Sequence, residues 1–244
     1  GGARPNFIKI APLLKLFEKE KKIKSVFINT GQHYDKALSE NIIKDLGLRK
    51  PDLNLGIGSD SHINQISKVM IRYEKYLKFR KPNLVVVFGD VNSTIAAALT
   101  AKKNGIKVAH VEAGLRCYDD NLPEEINRRL TDSISDILFT PSKNENLNLE
   151  KENITKNVFF VGNIMIDSLV SFFKKTNDRP TFSNIDGLIT LHRPENVDEK
   201  KKIESILKNI EKWTKKYKIL FPIHPRTQKN LIKFKLLKKL ETIN

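Results

Sequence analysis

The chain has 244 residues with 44 Lys+Arg, 28 Asp+Glu, a formal net charge of +16 and one cysteine. This length buries a substantial core, and the composition is that of a globular chain. One cysteine, Cys117, excludes an internal disulfide and a multi-cysteine metal site, and fits a reducing compartment. The apolar runs, such as Leu84 to Phe88, are far too short to cross a bilayer.

Taken in chain order, seven short apolar runs read as strands: 25–30, 84–88, 107–111, 136–140, 158–161, 187–191 and 218–223. They are unalternated and rich in Val, Ile and Phe, as buried parallel strands are. Helical patterns fall between them at 8–20, 34–46, 62–79, 93–104, 124–135, 145–151, 198–216 and 227–240. Alternation of this kind predicts an α/β fold with right-handed crossovers. Ser171–Asn184 mixes Lys, Asn, Asp, Pro and Ser and reads as a linker between a domain at 1–170 and a second at 185–244. The second holds only two strand–helix units. The chain also opens at what reads as a strand-to-helix turn, so material is expected to be missing at both ends.

Residues 200–244 hold 13 Lys and one Arg against three Glu, a net of +11. The remainder carries only +5. The excess is Lys rather than Arg (34 against 10), which suits solvated helix faces better than phosphate or base readout. A nucleic-acid partner is therefore not expected.

Polar and charged residues recur where strands end, the edge at which parallel sheets bind ligands. Gly1-Gly2-Ala3-Arg4-Pro5 precedes a helix containing Lys9. A glycine-rich helix start attracts anions, and Arg4 either clamps a phosphate or is a surface arginine. Thr30-Gly31-Gln32-His33 follows the first strand. The run 84–88 ends in Gly89-Asp90, and Asp90 is either a site carboxylate or a helix cap. The next strand ends as His110-Val111-Glu112-Ala113-Gly114-Leu115-Arg116. Glu112 leaving an apolar strand is costly unless paired or functional, and Arg116 is its candidate structural partner. Two carboxylates in one cleft can divide into a proton donor and a proton acceptor. Pro123-Glu124-Glu125-Ile126-Asn127-Arg128 opens a helix, and Glu124 and Arg128 lie on one face as either an ion pair or site residues. His192 and His224 end the two strands beyond the linker and are candidates for proton exchange or phosphate contact.

Together these segments resemble the non-hydrolysing UDP-N-acetylglucosamine 2-epimerases. The matching stretches are Gly2-Ala3-Arg4-Pro5 with Lys9, Thr30-Gly31-Gln32-His33, Gly89-Asp90, His110–Arg116, Pro123–Arg128, Val161-Gly162-Asn163 with Asp167, His192-Arg193 with Glu195-Asn196, and Pro222 with His224-Pro225. They occur in family order and cover nearly the whole chain. The resemblance implies a glycosyltransferase-B-like architecture of two Rossmann-like domains. It implies inversion of carbon 2, interconverting UDP-GlcNAc and UDP-ManNAc through anti elimination of UDP and its re-addition to a glycal. It implies no nicotinamide and no metal.

Carried over by motif, Asp90, Glu112 and Glu124 are the acid/base carboxylates. Arg128 orients their helix or holds the diphosphate, and His192 contacts the diphosphate or assists elimination. Arg4, Lys9 and His33 match substrate-contacting positions, and His224 is a cleft residue near UDP. Asn6 stands where an acidic residue is common. The family's Asp-Ser-Gly-Gly loop, which binds the UDP ribose and phosphates, does not occur in these residues. Weak UDP binding, or an inactive fragment, is the corresponding expectation. The resemblance further implies a homodimer and, with a nucleotide-sugar substrate, a cytoplasmic location. Alternatives are a hydrolysing 2-epimerase, a glycosyltransferase of the same architecture, and a basic nucleic-acid-binding protein.

Overall fold

A computed structural model of the chain describes residues 4–31, 42–175 and 184–237. The chain divides into two compact units, Gly1–Asn177 and Asp178–Asn244.

The first unit begins with α1 (Arg4–Lys19), β1 (Ile28–Asn29) and β2 (Leu53–Asn54), and β1 and β2 pair in parallel. It continues with α2 (His62–Phe79), β3 (Leu84–Phe88), α3 (Asn92–Lys103), β4 (Lys107–Val111), α4 (Pro123–Ile134), β5 (Ile137–Thr140), α5 (Lys143–Lys151), β6 (Val158–Phe160) and α6 (Ile164–Lys175). Strands β3, β4, β5 and β6 form one parallel sheet in that order. Helix α6 runs to Lys175, so residues 171–175 of the expected linker are helical. The Ser168 hydroxyl ties α6 to the Ile8 carbonyl of α1 at 2.5 Å.

The register sets the site. Phe88 lies beside Val111, so the chain leaves β3 and β4 at the same level. One side of the sheet is filled by Val85 and Val87 with Val69, Tyr73 and Leu77 of α2 and Ala96, Ala98 and Ala101 of α3. The small face of α3 lets it lie close to α2 and the strands. Phe7, Ile10 and Leu14 of α1 cover the other side with Phe27, Phe88 and Val111. The start of α1 is thereby held over the ends of β3 and β4. The Asp136 carboxylate accepts the Val108 N–H at 2.7 Å and fixes β4 against β5.

The second unit contains β7 (Gly187–Leu188), α7 (Pro194–Val197), α8 (Lys200–Thr214), β8 (Ile219–Leu220) and α9 (Pro225–Lys233). Its two strands are parallel. The helix expected over 198–216 is α8, Lys200–Thr214, and the short α7 precedes it, with Asp198 and Glu199 turning the chain between the two. Val197, Ile203, Leu207, Ile210, Leu231 and Leu236 form its core. Among the described residues, no helix is long and apolar enough to cross a membrane.

Candidate active site

Two carboxylates leave the adjacent ends of β3 and β4, and each meets a cation from a helix. Arg128 Nη2 of α4 donates to Asp90 Oδ2. Lys9 Nζ of α1 donates to Glu112 Oε2. The pairs are recessed, with side-chain exposure of 14% for Lys9, 9% for Glu112, 15% for Arg128 and 26% for Asp90. Partial burial strengthens such pairs over their surface counterparts.

The backbone beneath them is unusual. Gly89 has φ +63° and donates its N–H to the Val111 carbonyl at 3.0 Å. A Cβ there would stand 2.9 Å from Lys9 Nζ and 3.3 Å from Glu112 Oε2. Position 89 therefore needs glycine both for its left-handed backbone and to let the ion pair lie over it. Glu112 itself has φ +72°, a left-handed conformation that a residue with a Cβ adopts at a cost of about 1–3 kcal/mol. This backbone turns its carboxylate back over Gly89 instead of letting it continue along the strand.

Helix α4 grips Asp90 twice. Arg128 holds its carboxylate, and Asn127 Nδ2 donates to its main-chain carbonyl at 2.9 Å. Arg128 in turn rests on Glu125, Nη1 to Oε2 3.5 Å. Glu125 is fully buried and accepts from the Cys117 N–H at 3.1 Å, the Cys117 thiol at 3.2 Å and the Tyr118 N–H at 3.3 Å. Burial pushes the Glu125 carboxyl up, but these donors and Arg128 more than offset it, and the net shift is downward.

Arg116 does not pair with Glu112. Its side chain is fully buried and is forked onto Glu152, with both bonds at 2.7 Å, and onto Asp132 Oδ2 at 2.8 Å. Burial works against its charge, yet the two carboxylates outweigh burial and hold its pKa above the ordinary value. Nor does Arg128 pair with the Glu124 carboxylate: only its Nε reaches the Glu124 main-chain oxygen, at 3.3 Å. The Glu124 side chain is exposed one turn from Arg128, and its carboxylate has no partner among the described residues.

In the second unit, His192 and His224 follow β7 and β8 as exposed residues, with ring centroids 5.6 Å apart. His224 Nδ1 accepts the Arg226 N–H at 3.1 Å and caps α9. The Arg4 side chain and all of His33 lie outside the described residues. Sequence reasoning left out Glu125, Asn127, His110 and Asp132 as parts of the site's support. Their signal, polar residues on the buried face of α4 and a histidine inside the apolar strand β4, is visible only once α4 is placed against β4.

A parallel sheet that gathers two carboxylate–cation pairs at its carboxyl edge defines an α/β protein with a candidate site at that edge. A family model described as UDP-N-acetylglucosamine 2-epimerase matches residues 15–244. A relative named UDP-N-acetylglucosamine 2-epimerase from Methanocaldococcus jannaschii is 44% identical, over 99% of this chain and 69% of its own length. A UDP-2,3-diacetamido-2,3-dideoxy-D-glucuronate 2-epimerase from Pseudomonas aeruginosa is 37% identical over 93% of this chain and 66% of its own length. The crystal structure of the Methanocaldococcus jannaschii UDP-GlcNAc 2-epimerase in complex with UDP-GlcNAc and UDP superposes with a TM-score of 0.84 at 42% identity, covering 98% of this chain and 69% of that one. The chain belongs to the UDP-N-acetylglucosamine 2-epimerase family, and its fold is of the GT-B-like α/β class.

Proposed function

We propose that the protein is a non-hydrolysing UDP-N-acetylglucosamine 2-epimerase, interconverting UDP-GlcNAc and UDP-ManNAc. The observation that carries this reading is the pair of recessed carboxylates, Asp90 and Glu112, at adjacent strand ends, each with its own cation. Inversion at carbon 2 needs a base on one face of the sugar and an acid on the other. A carboxylate removes the carbon-2 proton. The electron pair of that bond forms a carbon 1–carbon 2 double bond, and the bond from carbon 1 to the UDP oxygen breaks with its electrons leaving on UDP. The UDP oxygen then adds back to carbon 1, and carbon 2 takes a proton on its opposite face. The net change is inversion, with no redox step.

In this reading Asp90, Glu112 and Glu124 divide the proton transfers. Lys9 and Arg128 keep Glu112 and Asp90 oriented and hold positive charge where the leaving diphosphate gathers negative charge. Arg4 and His33 contribute substrate contacts, and His192 and His224 present rings to the nucleotide. The histidine that caps α9 carries its ring hydrogen on Nε2, leaving that atom to donate. The family also contains the 2-epimerase of a diacetamido glucuronate, so UDP-GlcNAc is assigned over that substrate by the greater similarity to the archaeal enzyme. Chromatography of the products tests the assignment. UDP-ManNAc with its nucleotide retained is the expected product, and free ManNAc with UDP would place the protein in the hydrolysing branch.

A further inference from the structure

We propose that His110 is a positioning residue, which ties the Gly89 carbonyl to the Glu112–Gly114 turn through Asp132 and so sets the Asp90 and Glu112 carboxylates relative to one another. His110 is fully buried in β4, in a sheet position that Val108, Ala109 and Val111 fill around it with apolar groups. Its ring spends that position on two hydrogen bonds. Nε2 stands 2.8 Å from the Gly89 carbonyl oxygen, and Nδ1 stands 2.7 Å from Asp132 Oδ1. Asp132 Oδ2 in turn takes the Gly114 N–H at 3.0 Å and the Arg116 guanidinium at 2.8 Å.

The path Gly89 O–His110–Asp132–Gly114 N therefore bridges the two loops that carry the carboxylates. Gly89 and Glu112 both hold left-handed backbones, at φ +63° and +72°. Such conformations persist only where the surroundings over-determine them. His110 grips the carbonyl before Asp90 and Asn127 the carbonyl after it, so this one segment is fixed from β4 and from α4. Reaction rates are sensitive to displacements of about 1 Å in such groups.

The kinetic arm of this proposal rests on the epimerase reading, while its structural arm stands without it. His110→Gln brings an amide to the Nε2 position and retains the bond to Gly89. His110→Leu fills the space and removes both bonds. In the whole chain, His110→Leu is expected to raise amide exchange over 89–91 and 112–114 by about tenfold or more. It is expected to lower kcat by about 100-fold with KM changed less than about threefold. His110→Gln is expected to recover exchange at 89–91 and most of kcat. Equal exchange in both variants and the wild type, or a loss carried by KM, overturns the proposal. Should His110→Leu fail to fold, His110→Gln decides: wild-type exchange at 89–91 with faster exchange at 112–114 is expected, and unchanged exchange at 112–114 overturns the proposal. A wild-type protein without epimerase activity whose variants still show this order of exchange would sink the epimerase reading and leave the positioning role standing.

Discussion

Gly89 and Glu112 show how the site depends on single backbone positions. A methyl group at 89 meets the Lys9 ammonium at 2.9 Å and the Glu112 carboxylate at 3.3 Å, on a φ of +63°. Gly89→Ala is expected to destabilise the protein by about 1–2 kcal/mol, read as a lower urea midpoint at unchanged slope. Because the crowded group is an ion pair of the site, its activity should fall further than its stability. The sequence made Gly89, Asp90 and Glu112 visible as a glycine and two carboxylates at the ends of apolar runs. It could not show which cation each would meet. Lys9 and Glu112 are separated by 103 residues and Arg128 and Asp90 by 38, and local spacing instead suggested Glu124 with Arg128 and Glu112 with Arg116. Tertiary placement of α1 and α4 over the strand ends overrides both.

At the scale of elements, α4 is the support of the site. Its first turn buries Glu125 under the Cys117–Tyr118 loop and beneath Arg128. The Glu125 carboxyl titrates below its ordinary 4.5 in the folded protein. A depressed carboxyl contributes stability that is fully present above the unfolded value and is lost as pH falls through the folded one. The wild type should therefore lose stability as pH drops below about 4.5. Glu125→Gln should be less stable by about 1–3 kcal/mol at neutral pH and show a shallower acid limb, measured by thermal unfolding across pH 3–7. A parallel acid limb in both would remove Glu125 as its source. The elements themselves were legible to different degrees. β3 and β4 are continuous apolar runs of five residues, and their bounds coincide with the expected 84–88 and 107–111. β1, β7 and β8 are two residues each, and among the described residues each pairs with a strand of the same length. β2, Leu53–Asn54, has no periodicity to read, and α6 was hidden because its aromatic and β-branched residues do not favour a helix by propensity alone.

The whole molecule is two units of unequal internal support. In the first, β4 is bonded on both sides, by β3 and by β5. In the second, among the described residues, β7 and β8 pair with one another. Local opening follows such differences. Hydrogen exchange at Val108 and His110 should be slower than at Ile189 and Leu220 by about 100-fold or more, and equal protection would contradict the ranking. The charge of +16 belongs to the same scale: its excess lies in residues 200–244 of the second unit, while the candidate site uses Lys9 and Arg128 of the first. On the epimerase reading, Glu112 moves the carbon-2 proton together with Asp90 and Glu124. Incubating UDP-GlcNAc with the protein in deuterium oxide and following carbon 2 by NMR tests it most directly. Deuterium at carbon 2 of both UDP-sugars with the wild type, and a loss of about 100-fold or more in Glu112→Gln with its fold intact, is the predicted result. Undiminished exchange in Glu112→Gln, or epimerisation with the original hydrogen kept at carbon 2, would contradict it.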